Sequence, residues 1–186
     1  MKVFPLAALV LFLLSACNSS PAPASAPAKS DEQRSAIEEK LLLELSPADD
    51  RAGRQRNAII NRAIDQHYDV TAAPEGYFYE IIEPGDFEPL VTGDIITAHY
   101  RGVFLDGTVF DDSRRRGEPL RFTIGQLIPA WNLALTRLRP GGAIRILTPS
   151  DLAYGEEGLV NPRGDTLVPA HAVLEFLIEE VTIHEE

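Results

Sequence analysis

Five short segments hold the residues that could do chemistry. They are Thr97-Ala98-His99-Tyr100-Arg101-Gly102, Asp106-Gly107-Thr108-Val109-Phe110-Asp111-Asp112-Ser113, Ile128-Pro129-Ala130-Trp131, Pro149-Ser150-Asp151-Leu152-Ala153-Tyr154-Gly155 and Val168-Pro169-Ala170-His171-Ala172-Val173-Leu174-Glu175-Phe176. Ser113 lies beside Asp111 and Asp112, but no histidine is placed to activate it, so a hydrolase reading is poor. His67, His99, His171 and His184 lack metal-ligand spacing and read as structural or surface residues. Arg163-Gly164-Asp165 spells an adhesion tripeptide and reads as a turn centred on glycine. The chain offers no convincing nucleophile, metal site or cofactor site. What it offers is aromatic rings interleaved with a few polar groups.

In this order, the five segments resemble the FKBP family, the macrolide-binding peptidyl-prolyl isomerases, with a match running from about Gly76 to the C-terminus. The resemblance implies rotation about Xaa-Pro bonds with no cofactor and no metal. The uncatalysed barrier to that rotation is about 18–20 kcal/mol. A planar amide is more polar than a twisted one, so a dry apolar pocket disfavours the ground state, and directed hydrogen bonds select the twisted geometry. Carried over position by position, the resemblance puts Tyr100, Phe110, Leu120, Leu127, Ile128, Trp131 and Phe176 around the proline ring, with Trp131 as the floor. The backbone N–H of Ile128 and the hydroxyl of Tyr154 bond substrate carbonyls. Asp111 either holds Tyr100 in place or polarises the twisting amide. Val168 closes the pocket from the loop after Tyr154. Isolated aromatics in a small half-barrel are core more often than site, but their joint occurrence with Phe110-Asp111, Ile128 and Tyr154-Gly155 reverses those odds.

Four positions depart from the family pattern. Ala130 replaces a glycine, Leu120 an aromatic wall, Leu152 a tyrosine and Ala170 a second proline. The loop from Gly155 to Leu167 is longer than in the shortest members and is expected to overhang the site. None of these changes removes a hydrogen-bonding group, so they bear on substrate choice.

The elements that must position these residues read as antiparallel β structure. Strands are predicted over Tyr77–Ile82, Ile95–Leu105, Thr108–Asp111, Leu120–Ile124, Ala143–Thr148 and Val173–Ile183, with Asp106-Gly107 as a hairpin turn. A single short helix is marked by Trp131, Ala134, Leu135 and Leu138 at i, i+3, i+4 and i+7 and stopped by Pro140-Gly141-Gly142. The predicted fold class is α+β, which the resemblance refines to an antiparallel half-barrel wrapped on one helix. An N-terminal helical segment over 31–70 precedes the domain at 76–186. Ile37, Leu41 and Leu45 form the stripe of its first helix. Ser46 caps the second, Pro47 fits its first turn, and Ile60 and Ile64, with Ile59 and Ala63, line it. Two helices this short cannot stand alone. They pack either on the main domain or on a second copy, as a homodimer.

The charge of -11 excludes a nucleic-acid partner, because phosphate contacts need a basic face. Met1-Lys2 and the apolar run to Ala16 have signal-peptide length, too short to span a bilayer. Leu14-Ser15-Ala16-Cys17 looks like a bacterial lipobox, with Cys17 as the lipid-bearing residue; an ordinary secretory signal is the alternative. Residues 18–30 form a Pro/Ala-rich tether, and Asn18 leans toward the periplasmic face of the outer membrane. Cys17 is the only cysteine, so no intrachain disulfide forms. The reading is a lipid-anchored envelope prolyl isomerase with unfolded or folding Xaa-Pro clients, sensitive to macrolides. The alternative is a proline-segment-binding chaperone or assembly lipoprotein.

Overall fold

A computed structural model describes residues 29–184. Cys17, the apolar stretch before it and most of the Pro/Ala tether lie outside the described residues. The N-terminal helical segment comprises α1 (Asp31–Leu42) and α2 (Arg51–Asp65). Ser30 and Gln33 form a reciprocal capping box at the start of α1. Leu45, predicted to extend the α1 stripe, lies beyond the helix and is exposed. The cap of α2 is Asp50, not Ser46: the Asp50 carboxylate accepts from Gly53 N at 2.8 Å. Ser46 cannot cap because the Asn57 side chain holds both its N–H, at 2.8 Å, and its carbonyl, at 3.0 Å.

The main domain follows as β1 (Thr71–Ala72), β2 (Phe78–Glu83), β3 (Ile95–Phe104), β4 (Val109–Asp112), α3 (Ser113–Arg116), β5 (Leu120–Thr123), α4 (Pro129–Leu135) and β6 (Ala143–Thr148). A 3₁₀ turn at Ser150–Leu152 leads to β7 (Leu159–Val160), β8 (Thr166–Val168) and β9 (Leu174–His184). The antiparallel sheet runs β1-β2-β6-β9-β3-β4, and β5 also pairs with β3. Strand β3 is the hinge of this arrangement. Its first half pairs with β5 (Ala98 opposite Leu120) and its second half with β4 (Gly102 opposite Asp111), while β9 lies along its other edge. A register shift between Thr97 and His99 bends the sheet there. The fold is α+β, as predicted, but α3 is a second short helix in the main domain, capped by Asp112 and ended by left-handed Gly117.

Alternation along β6 and β9 separates two cores. Ile144, Ile146, Leu174, Phe176 and Ile178 pack with α4 on one face of the sheet. Phe78 and Leu147 instead join Ile37, Leu41, Ile59, Ile60 and Ala63 from α1 and α2. The N-terminal helices therefore pack on their own chain. Arg62 of α2 fastens them further, reaching Glu175 on β9 at 2.9 Å.

Candidate active site

The site is built where β3, β4, α4 and β9 converge. At its floor lies Trp131, three residues into the turn that opens α4 and almost fully buried. Three rings stand edge-on around the floor and wall. Tyr100 meets Trp131 at 5.0 Å between centroids and 82°, Phe176 meets Trp131 at 5.4 Å and 89°, and Phe110 meets Phe176 at 5.7 Å and 85°. Edge-to-face contacts of this kind match the positive ring edge to the negative ring face and fix each ring's tilt. Gly102 makes the wall possible, since a Cβ there would sit 2.5 Å from Cζ of Phe110.

The result is a cavity of about 70 Å³ lined by Tyr100, Phe110, Asp111, Leu120, Leu127, Ile128, Trp131, Tyr154 and Phe176. Every pocket residue named from the sequence is there except Val168. Val168 pairs with Leu159 in the β7–β8 hairpin and is buried in the core, 1 % exposed. Its side chain faces inward while its neighbour Leu167 faces solvent, so Tyr154 closes that side of the cavity. The segment expected to overhang the site is this hairpin, and none of residues 155–168 lines the cavity. Cys17, the expected lipid attachment site, lies outside the described residues.

Sequence reasoning missed three supporting residues. Arg116, from α3, pairs with Oδ1 of Asp111 and donates to the Tyr100 hydroxyl at 2.9 Å, while that hydroxyl donates to Oδ2 of Asp111. Both carboxylate oxygens of Asp111 are thus engaged within the protein, which favours holding Tyr100 over acting directly on an amide. Asn132 accepts from Gly125 N at 2.9 Å and donates to Leu127 O at 2.7 Å, tying the loop before α4 to the helix. Phe122 does not line the cavity but packs against the floor from the core, its ring 5.7 Å from Trp131. Ile128 is the N-cap residue of α4, in extended conformation at φ -57°, ψ 147°. Its own N–H precedes the helical ladder and is not needed within it. Burial, and then the hydrogen bond to Asp111, push the Tyr100 phenol up to about 12. Burial, and then the charge of Asp111, also raise the Tyr154 phenol above its ordinary value. The cavity is therefore ring-lined, with phenols held protonated at its rim.

Residues 88–181 match the family described as FKBP-type peptidyl-prolyl cis-trans isomerase. The chain belongs to that family. It is 37% identical over 100 residues to the FKBP-type peptidyl-prolyl cis-trans isomerase FkpA of Escherichia coli K12, an alignment covering 53% of this chain and 37% of that protein. It is 36% identical over 101 residues to the outer membrane protein MIP of Legionella longbeachae, covering 53% of this chain and 43% of that protein. The chain thus matches less than half the length of these two relatives. The crystal structure of E. coli FkpA superposes with a TM-score of 0.60 at 26% identity, over 81% of this chain and 64% of that one. That match extends beyond the FKBP domain. Within the FKBP domain, Leu120 lines the cavity as a partly buried aliphatic side chain and Ala130, on α4, is fully buried in the main core.

Proposed function

We propose that this protein is a prolyl isomerase of the bacterial envelope, acting on Xaa-Pro bonds of unfolded or folding proteins by non-covalent means. One observation carries the reading: rings, aliphatic side chains, two phenols and one carboxylate from six separate stretches of chain line a single, mostly apolar cavity. A substrate proline rests on Trp131 between Phe110 and Phe176. The Ile128 N–H and the Tyr154 hydroxyl then bond the flanking carbonyls, and Tyr154 stays a donor because its phenol is held protonated. Removing the amide from water weakens its polar planar form, and the two donors bind the twisted form better than the planar one. Asp111, clamped by Arg116, fixes Tyr100 as a wall and places negative charge near Tyr154. Macrolides fill the same hollow and compete with substrate.

Anchoring through a lipid on Cys17 is supported by Leu14-Ser15-Ala16-Cys17 and by the name of the L. longbeachae relative, an outer membrane protein. No helix among the described residues is long and apolar enough to cross a membrane. A homodimer through the N-terminal helices would have to use Leu42, Leu43 and Leu45, which those helices and their following turn leave exposed.

The test is cis-to-trans conversion of a short Xaa-Pro peptide by the full chain. The wild type accelerates it and a macrolide blocks it, while Tyr154→Phe combined with Asp111→Ala lowers kcat/KM by roughly 100-fold, the usual scale for losing a positioned donor and its support. An unaffected rate in that variant defeats the site assignment. Client protection that survives in the inactive variant would favour the chaperone reading. In cell fractionation the wild type stays with membranes and Cys17→Ser does not; an unchanged distribution of the variant defeats the anchor.

A further inference from the structure

The segment bearing Tyr154 is held in place from outside the isomerase domain. It starts at Ser150, which is fully buried, and ends where the chain returns at His171. Between them the excursion is closed by its own backbone. The Ser150 carbonyl accepts from Ala153 N and Gly155 N, each at 2.9 Å, and the Gly155 carbonyl accepts from His171 N at 2.8 Å. Those bonds leave the Ser150 N–H and the His171 carbonyl facing inward. Gln55, on α2, reaches both across the interface. Its Oε1 accepts from Ser150 N at 3.0 Å, and its Nε2 donates to the His171 carbonyl and to Ser150 Oγ, each at 3.0 Å. Gln55 is itself 9 % exposed, the buried polar side chain of α2.

From this geometry we infer that Gln55 is a positioning residue for Tyr154, and that the N-terminal helical segment is a working part of the isomerase site. The inference rests on the isomerase reading above. A buried N–H or carbonyl without a partner costs far more than an exposed one. Without Gln55 the two ends of the excursion, the 3₁₀ turn at Ser150 and the turn at His171, must open toward water to satisfy their backbone groups. Opening them shifts Tyr154, four residues beyond Ser150, by enough to misplace its hydroxyl. Such a displacement matters because catalytic hydrogen bonds depend steeply on geometry. Gln55 can be the only amide that serves both ends because one side chain carries a donor and an acceptor in a fixed plane. The exposed ion pair of Arg51 with Glu156, at 3.6 Å, joins the same two elements but adds little.

Gln55→Met removes these bonds while keeping the side chain's volume. Two readouts are taken on the full-length protein. In a double-mutant cycle on peptide isomerisation, Gln55→Met lowers kcat/KM about tenfold in the wild-type background, and has no further effect in the Tyr154→Phe background. Equal losses in both backgrounds would mean that Gln55 serves stability alone and would overturn the inference. The second readout needs no activity: amide hydrogen exchange at Ser150, Ala153 and Gly155 accelerates about tenfold in Gln55→Met while the β3 and β9 amides keep their protection. Unchanged exchange at these three amides overturns the inference whether or not the wild type is an isomerase, whereas a wild type without activity but with accelerated exchange defeats only the isomerase reading. If Gln55→Met fails to fold, Ser150→Ala replaces it in both measurements. It loses the hydroxyl end of the clamp and shows the same non-additivity with Tyr154→Phe and the same exchange pattern, each about threefold.

Discussion

At the scale of single residues, the rim of the hollow depends on phenols that keep their protons. Tyr100 titrates at about 12, lifted first by burial and then by its hydrogen bond to Asp111. Burial is also the main cause that raises Tyr68, Tyr77 and Tyr154. A folded-state pKa above the unfolded value means that the fold binds the proton more tightly. The stabilisation is then fully present below the unfolded pKa of about 10 and is lost as pH rises through the folded pKa. Thermal unfolding followed against pH should show no loss from these phenols between pH ~7 and ~10, then a steepening decline. Tyr100→Phe should make that alkaline decline shallower without abolishing it, because the other phenols shift in the same direction. A decline in the variant as steep as in the wild type would show that Tyr100 is not held as the geometry indicates. The pocket rings were legible in the sequence because each sits in a recognisable local string. Arg116, Asn132 and Gln55 were not, because an arginine, an asparagine or a glutamine acquires its role only from a partner brought close by folding. Val168 departs from its expected place for a related reason: strand alternation in the β7–β8 hairpin decides which side it faces, and the Gly- and Pro-containing sequence there carries no strand signature.

At the scale of elements, the sheet and α4 were the readable part. Period-two patterning, Asp106-Gly107 and Pro140-Gly141-Gly142 set the limits of the six longer strands to within a residue or two, whereas α4 stops at Leu135 and the two- and three-residue strands β1, β7 and β8 are too short to show a period. In the hairpin only Gly107 takes a positive φ, of 89°, and Phe104 N bonds Thr108 O at 2.9 Å. That makes a three-residue loop closed by a left-handed glycine. The N-terminal segment was harder to read. Its cap signature at Ser46-Pro47 is real chemistry, but Asn57 takes the Ser46 backbone, and Ala48 packs closely on Gly53. The helix begins instead at Asp50, whose carboxylate accepts from Gly53 N. The periodicity of α1 and α2 could not say what covers their apolar faces; Phe78 and Leu147 do. Because this second core is shared with β2 and β6, Ile60→Ala should destabilise the whole described unit. The expected cost is ~2–5 kcal/mol, seen as a lower denaturant midpoint in one transition. A separate early transition of the helices, with the sheet's midpoint unchanged, would show that they are an independent appendage.

At the scale of the whole molecule, three layers share one function. α4 fills the concave side of the sheet and supplies the floor of the hollow, the sheet supplies its walls, and α1–α2 on the opposite face steady the turn that carries Tyr154. The chain's acidity is spread over this body, and its cations are mostly engaged in ion pairs such as Arg62–Glu175 and Arg114–Glu180. The ring-lined hollow should bind a prolyl amide better when it is twisted than when it is planar. Trp131 is the chain's single tryptophan, so its fluorescence reports occupancy of the floor without interference. The decisive measurement is a titration of that fluorescence with a planar Xaa-Pro peptide and with a proline amide whose bond is held perpendicular by its covalent structure. Binding of the twisted compound at least ~100-fold tighter is the predicted result, and equal affinity for the two would contradict it.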